Sequence, residues 1–297
     1  MTPDTLLAAC RFVHDGALMA LWGCFAYLAV LVPRPLAEVV ADRLTVPRLA
    51  GACLVLVTAL LALPLQAAMI GDGWADAVDL QTLLNVLGST SVGKAWLAQL
   101  FAALAVTGAQ FVHGRAGLVA TAAASGLSLA TLALTGHAVM QDGWQGVAHP
   151  LNDVLHVLAA GAWFGALSPL IVVLAKFGQA SSRAEASVAL RRFSTVGHWV
   201  VALAILSGIG NGLFIVGWPP LGWGSTYKVL LTAKIAVVAV MTATAILNRY
   251  WFVPRIRRDG QAAVAAIRTG TLAEIGLGLA AILLVSVFGM LDPGGMD

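Results

Sequence analysis

Charged residues are scarce in this chain of 297 residues. Lys, Arg, Asp and Glu together make up 10% of it, whereas soluble domains carry about 25%. Apolar residues account for 60%, and a soluble fold would not cover its surface with the few charges that are left. The composition therefore excludes a soluble enzyme, a nucleic-acid-binding protein and a disordered chain, and it predicts a protein of the lipid bilayer.

Cysteine is also rare. The three cysteines, Cys10, Cys24 and Cys53, lie in apolar stretches and form no CxxC pair. An odd number of isolated thiols supports neither a disulfide framework nor a zinc finger. P-loop and GxSxG strings are absent as well, so the sequence shows no machinery for ATP hydrolysis or acyl transfer. We therefore expect a protein that is not an enzyme.

Apolar stretches long enough to cross a bilayer recur along the whole chain. A helix needs about 20 apolar residues to span a hydrocarbon core of about 30 Å. The candidate spans are residues 5–32, 47–70, 92–112, 116–138, 151–176, 193–217, 226–250 and 269–291. The sequence therefore predicts an all-α, polytopic membrane bundle of about eight transmembrane helices, in which residues 1–297 form a single integral-membrane domain.

Positive charges fall mainly on one side of this predicted bundle. Of the 17 Lys and Arg residues, 13 lie in the connections after the first, third, fifth and seventh spans. By the positive-inside rule these connections face the cytoplasm. Both termini are therefore expected to face outward.

Four of the six histidines lie on the outward side in this orientation. They are His14, His137, His149 and His156. His149, Asp153 and His156 are spaced i, i+4 and i+7, which places them on one face of a helix. Asp153 falls in the first turn of the predicted fifth span, where the helix dipole favours a carboxylate, and it is also able to orient a ligating imidazole.

Methionines accompany these histidines. Met69 ends the second span and Met140 follows His137. Imidazole together with thioether suits copper, and thioether in particular suits Cu(I), although a single methionine is more often an apolar core residue. The candidate metal ligands are therefore His14, His137, His149, His156, Met69 and Met140.

Ionisable residues inside apolar spans also indicate function. Asp15 follows His14, and Lys234 lies about two turns into the seventh span. Such groups usually face the interior of a bundle, although an ion pair or a snorkelling side chain is the structural alternative. Asp15, Asp153, Met19 and Lys234 are candidates for orienting the ligands or lining a pathway, and Met19 and Cys24 for a deeper copper relay.

Several segments resemble the CopD copper-resistance family of bacterial inner-membrane proteins. They include RRFSTVGHWVVALAILSGIGNG (191–212), STYKVLLTAKIAVVAVMTATAILNRY (225–250) and LAEIGLG in the last span. SVGKAWLAQL, LTGHA and HVLAAGAWFGAL, further toward the N-terminus, are similar to that family too. The resemblance covers nearly the whole chain and is strongest over residues 187–291.

This resemblance implies an eight-helix copper-handling protein of the bacterial inner membrane. It implies a periplasmic copper-binding partner of the CopC type and passage of copper toward the cytoplasm. His14, His137 and His156 match the outer histidines of the family, whereas His149 and the methionines come from helix geometry. The leading hypothesis is a copper permease in copper homeostasis or resistance, with copper as Cu(I) or Cu(II).

Two other functions stay open on the sequence. Histidine pairs on neighbouring helices can ligate haem, so a membrane b-type cytochrome or haem-linked oxidoreductase would use the same residues. A transmembrane relay of two haems would need histidines near both faces, where the inner side offers only His113 and His198. A scaffold or sensor that binds metal without transporting it is the third hypothesis.

Overall fold

A computed structural model describes residues 2–218, 221, 223–257 and 260–293. In this part of the chain the secondary structure is helical, and no residue lies in a β-strand. Its α-helices are α1 (Pro3–Val30), α2 (Arg34–Arg43), α3 (Thr45–Ile70), α4 (Leu80–Ser89), α5 (Ser91–Gly108), α6 (Gly114–Thr131), α7 (Gln145–Ala175), α8 (Arg183–Val216), α9 (Thr226–Leu247) and α10 (Gly260–Phe288). A π-helical turn (Asn248–Phe252) follows α9.

Among the described residues, eight helical segments are long and apolar enough to cross a bilayer, and they correspond to all of these α-helices except α2 and α4. Their most apolar windows have mean hydropathies between 1.3 and 2.3. Since helices satisfy their own backbone hydrogen bonds, such segments are stable in hydrocarbon. The predicted all-α membrane bundle of eight spans is confirmed.

Some helices extend beyond the apolar stretches that predicted them. α7 begins at Gln145 rather than at residue 151, and α8 begins at Arg183 rather than at residue 193. Apolar composition marks only the part of a helix suited to hydrocarbon, whereas backbone hydrogen bonding continues into polar turns. The predicted boundaries were therefore wrong by several residues at these ends.

The predicted fourth span is longer than the helix that forms it. α6 ends at Thr131, and His137 lies in a separate 3-10 turn, Gly136–Val139. Gly136 adopts a φ of 71°, a conformation that favours glycine and that ends the helical path. His137 is therefore held in a connection rather than at the end of a helix.

Two short helices in the connections were not predicted. α2 buries Leu36 and Val40 while its polar face stays exposed. α4 begins after Asp79, whose Oδ2 accepts a hydrogen bond from the Thr82 amide at 2.7 Å. The Thr82 hydroxyl also donates to this carboxylate, and these hydrogen bonds hold the pKa of Asp79 below its usual range. Both helices are too short to span a bilayer.

α1 and α7 form a close crossing in the centre of the bundle. A Cβ atom on Gly23 would overlap the carbonyl oxygen of Gly161 and the backbone of Gly165. The indole of Trp22 donates to the Leu158 carbonyl at 2.8 Å across the same interface. Small residues allow membrane helices to approach this closely, and the crossing fixes α7, which carries two of the candidate histidines, against α1.

The residues around one cavity of about 560 Å³ show that consecutive spans run in opposite directions. They come mainly from the N-terminal parts of α1, α5, α7 and α9 and from the C-terminal parts of α3, α8 and α10, together with residues after α6. We call this end, which contains α4 and the α6–α7 and α8–α9 connections, the cavity end. The opposite end, which contains α2 and the α5–α6, α7–α8 and α9–α10 connections, is the arginine end.

Candidate functional site

The cavity brings together most of the residues that the sequence singled out. It is lined by His14, His137, His149, His156, Met19, Met69, Asp15, Asp153 and Lys234. Met140, which is 59% exposed, is not among the residues that line it. Cys24 is buried in the core away from the cavity, so a relay of copper through this thiol has no support in the structure.

His149 has a fixed tautomer. Its Nδ1 lies 2.6 Å from Gln141 Oε1, while Gln141 Nε2 donates to the Phe214 carbonyl at 2.9 Å. Because the amide nitrogen of Gln141 is engaged with a carbonyl, its oxygen faces His149 and must accept the Nδ1 proton. The ring stacks on Phe214 at 5.0 Å between centroids. His149 Nε2 therefore carries the free lone pair.

The tautomer of His14, on α1, is fixed in the same way. Its Nδ1 lies 2.8 Å from Thr58 Oγ1, and this hydroxyl donates a hydrogen bond to the Leu54 carbonyl oxygen at 2.6 Å. Because the one hydroxyl hydrogen of Thr58 is engaged with the Leu54 carbonyl, Thr58 Oγ1 can only accept a hydrogen bond from His14. His14 Nε2 is again the nitrogen with a free lone pair.

His156 is oriented by α8. Its Nδ1 lies 3.0 Å from the Ala204 carbonyl and 3.2 Å from Ser207 Oγ. A carbonyl oxygen accepts only, so Nδ1 of His156 is the donor. Gly208, one helical turn beyond Ala204, leaves room for the ring, since a Cβ there would lie 3.0 Å from its Cε1 atom.

Three imidazoles around one cavity thus share one arrangement. In the described part of the chain, the Nε2 atoms of His14, His149 and His156 have no hydrogen-bond partner, while each Nδ1 is held by an oxygen acceptor. Metal-ligating histidines are typically oriented in this way by a partner on the second ring nitrogen. The three side chains are therefore prepared to give a lone pair to a metal ion.

His137 and Met140 form a separate contact at the cavity end. His137 Nδ1 lies 3.1 Å from Met140 Sδ, and the imidazole meets the ring of Tyr227 edge-on at 5.5 Å. Its Nε2 is buried and has no partner among the described residues. Burial, with the positive charge of Arg11 nearby, lowers the pKa of His137 below its usual range, so the ring is neutral at neutral pH.

The candidate ligands do not converge on one point. Within the described residues, no group of three or more His, Cys, Asp or Glu side chains is close enough to hold a metal ion. A cavity of about 560 Å³ is much larger than a metal ion, so its walls present donors at several separate places. The structure thus brings the histidines to one cavity without assembling them into one coordination sphere.

Asp153 joins α7 to α8 through a polar seam. Its Oδ1 accepts from Asn211 Nδ2 at 2.7 Å, and Asn211 Oδ1 accepts from Asn152 Nδ2 at 2.6 Å. Because α7 begins at Gln145, Asp153 lies in the third helical turn. The interpretation of this carboxylate as a first-turn, dipole-stabilised residue was therefore wrong.

Asp15 and Lys234 face the same cavity from α1 and α9. In the described ranges no ion pair joins them, and the Lys234 ammonium lies 5.8 Å from the centre of the Phe288 ring. With Arg11 and Asp153, the cavity wall carries two acidic and two basic side chains. The formal charges of these four residues therefore sum to zero.

Sequence reasoning missed the residues that orient the imidazoles. Thr58 and Gln141 are neutral polar residues without a recognisable spacing to their histidines, and Thr58 lies 44 positions from His14. Cys10 also lines the cavity, although no role was predicted for this isolated thiol. A polar residue on the inward face of an apolar span was the one available signal for Thr58.

Comparisons with known proteins identify the family. The model described as "Copper resistance protein D-like, N-terminal domain" matches residues 1–147, and the model described as "Copper resistance protein D" matches residues 187–288. The chain is 33% identical to "Copper resistance protein D" of Pseudomonas syringae pv. tomato, over 98% of this chain and 97% of that protein. The chain belongs to the copper resistance protein D family. Membership of this family supports a role in copper handling, and the resemblance seen in the sequence is confirmed.

Other relatives agree with this placement. "Inner membrane protein YebZ" of Escherichia coli (strain K12) is 31% identical over 96% of this chain and 97% of that protein. "Copper transport protein CutJ" of Bacillus subtilis (strain 168) is 29% identical over 77% of this chain and 42% of that protein. With eight apolar spans, this member of the copper resistance protein D family is a multi-pass protein of the inner membrane.

A solved structure shares the overall fold. The bd oxidase from Geobacillus thermodenitrificans superimposes with a TM-score of 0.53 at 12% sequence identity, over 98% of this chain and 88% of that chain. At this identity the similarity concerns the helical membrane fold alone.

Proposed function

We propose that this protein is a copper permease, which accepts copper from the periplasm at the cavity end and passes it toward the cytoplasm. The observation that carries this proposal is the set of three imidazoles, His14, His149 and His156, each with a free Nε2 at one cavity. Neutral imidazole is a good copper ligand. Family membership supplies the choice of copper over other metals that imidazole also binds.

The orientation follows from charge. The connections at the arginine end and the parts of the helices next to them contain 13 of the 17 Lys and Arg residues, and the cytoplasmic side of a membrane protein carries such an excess. This asymmetry supports a cytoplasmic arginine end, periplasmic termini and a cavity close to the periplasmic surface. In this orientation the free imidazole nitrogens lie on the side from which copper arrives.

Copper would be held by coordination to donor atoms rather than by attraction to a net charge, because the formal charges of the two acidic and two basic side chains of the cavity wall sum to zero. Met69, on α3, and Met19, deeper on α1, also line the cavity, and their thioethers are soft donors. Since the donors lie at separate places, an ion would pass between sites of low ligand number. Weak, consecutive sites favour passage over retention.

We propose that the whole chain forms a single integral-membrane domain. The two family matches cover different segments of the chain, yet residues from both segments line the one cavity. A separate periplasmic copper-binding protein of the CopC type would deliver the ion at the cavity end, as the family resemblance implies. To test this partner, a copper-loaded protein of the CopC type is mixed with the purified permease, the two proteins are separated, and the copper bound to each is measured.

Copper uptake into sealed proteoliposomes tests the permease. The variant His14→Ala, His149→Ala, His156→Ala should take up copper much more slowly than the unchanged protein and bind less of it. His198→Ala is the matched control, because this exposed histidine lies at the arginine end and bonds to Tyr250. Equal uptake by the triple variant would contradict the proposed site, and binding without uptake would indicate a metal sensor or scaffold.

The haem hypothesis has its own test, because imidazole Nε2 atoms also ligate haem iron. The protein is purified from cells supplied with haem precursor, and its absorption spectrum is recorded. A copper permease should show no Soret band. A stoichiometric Soret band that the triple histidine variant loses would replace the copper proposal with a cytochrome.

A further inference from the structure

Cys10 and His14 lie one turn apart on α1 and contact the same residue of α3. Cys10 Sγ lies 3.4 Å from the Thr58 carbonyl oxygen, and His14 Nδ1 lies 2.8 Å from Thr58 Oγ1. Residues at positions i and i+4 share a helix face, and both of these side chains line the cavity. The thiol and the imidazole therefore lie side by side at one wall.

A third donor comes from the segment after α10. Met290 lines the cavity and packs against the cluster of Leu7, Cys10 and Leu65. Arg11 Nη1 lies 3.4 Å from the carbonyl of the neighbouring residue, Gly289, and donates to it. This hydrogen bond ties the segment that follows α10 to α1, next to the cluster against which Met290 packs.

The imidazole of His14 has an unused lone pair at this place. Its side chain is only 8% exposed, and among the described residues no group bonds to its Nε2. Because Nδ1 is held by Thr58 on α3, Nε2 points away from α3 and into the space that Cys10 also borders. A nitrogen lone pair that borders a cavity and has no partner among the described residues is available to a ligand that enters the cavity.

We propose that Cys10, Met290 and His14 Nε2 form a binding site for Cu(I). This inference rests on the proposed copper function and adds the oxidation state of the ion. Thiolate and thioether are soft ligands that select Cu(I). The apolar surroundings of Leu7 and Leu65 favour an uncharged complex, which one thiolate forms with Cu(I) but not with Cu(II).

The chain supplies matched controls for this site. Cys24 lies on the same helix, is 7% exposed and does not line the cavity. Cys53 is exposed on α3. A serine at either position should leave Cu(I) binding unchanged, whereas Cys10→Ser removes the soft anionic donor and Met290→Leu removes the thioether at nearly constant volume.

The test is an anaerobic titration of purified protein with Cu(I) against a chromophoric Cu(I) chelator. Loss of a residue that merely orients a metal ligand weakens binding about 10–100-fold, so Cys10→Ser should weaken Cu(I) affinity at least about tenfold. Met290→Leu should weaken it less, and Cys24→Ser and Cys53→Ser should not change it. X-ray absorption of the Cu(I) complex should show copper–sulfur scattering that Cys10→Ser reduces.

A thiol-protection experiment gives a second measurement in a protein that keeps the site intact. In the variant Cys24→Ser, Cys53→Ser, the one remaining thiol is Cys10, and Cu(I) or Ag(I) should slow its alkylation by a maleimide. Unchanged alkylation together with equal Cu(I) affinity in Cys10→Ser would overturn the site. If these variants bind Cu(I) as the unchanged protein does while the triple histidine variant loses copper uptake, the Cu(I) site fails and the permease proposal stands.

Discussion

Trp163 Nε1 donates to Glu274 Oε2 at 3.4 Å, and this bond connects α7 to α10 between two cavities. Trp163 lines the large cavity and also a second cavity of about 180 Å³, which Tyr27 and Phe193 border farther toward the arginine end. Glu274 is itself held, since its Oε1 accepts from Asn248 Nδ2 at 2.9 Å. The indole is thus a fixed partition between the two spaces.

Removal of this partition should change copper passage more than copper binding. For a permease whose path runs through both cavities, Trp163→Ala should increase the rate of copper uptake several-fold and leave the Kd of the cavity sites unchanged. Trp163→Phe, which keeps a ring at this position, should change the rate much less. Because loss of a buried Trp costs about 3–5 kcal/mol, thermal unfolding must first show that the variant is folded. An unchanged or slower rate in a folded Trp163→Ala protein would contradict a path past this residue.

The hydrogen bond between Gln141 and His149 predicts a difference between two substitutions. Gln141→Leu removes the acceptor that fixes Nδ1 of His149 as the donor, whereas Gln141→Glu keeps an oxygen at that place. Partners that orient a ligating imidazole contribute about 10–100-fold to metal affinity. Where His149 binds copper in solution, Gln141→Leu should weaken that binding by this factor and Gln141→Glu should largely preserve it, as isothermal titration would measure. Equal affinities in both variants would contradict a contribution of this hydrogen bond to copper binding.

The crossing of α1 and α7 predicts opposite effects of alanine at two glycines of one helix. A Cβ on Gly23 would meet the backbone of Gly161 and Gly165, so Gly23→Ala should separate the helices and destabilise the fold by about 1–3 kcal/mol or more. Gly16, on the same helix, has nothing within 4 Å of its Cβ position. Gly16→Ala should stabilise the helix by about 0.5–1 kcal/mol. Thermal unfolding in detergent compares the two, and equal melting temperatures would contradict this packing.

The local sequence pattern was sufficient to predict the membrane spans but not the hydrogen-bond partners of the histidines. Hydropathy is a property of each segment, so eight spans were predicted correctly, although the first turn of α7, residues 145–149, was left outside its predicted span. The spacing of His149 and His156 placed both on the helix face that borders the cavity. Their acceptors come from elsewhere in the fold, and the Ala204 carbonyl lies 48 positions from His156. No spacing rule relates residues that meet only when helices pack.

The lowered pKa of His137 predicts how stability depends on pH in the metal-free protein. Burial disfavours the charged ring in the fold, while in the unfolded chain the ring protonates at its usual value of about 6.5. As pH falls below that value the unfolded state takes up the proton first, so the melting temperature should fall until the pH reaches the folded pKa. His137→Asn keeps a polar side chain that does not titrate, and its melting temperature should fall less between neutral pH and about pH 5. Parallel curves for the two proteins would show that His137 is as solvated in the fold as in the unfolded chain.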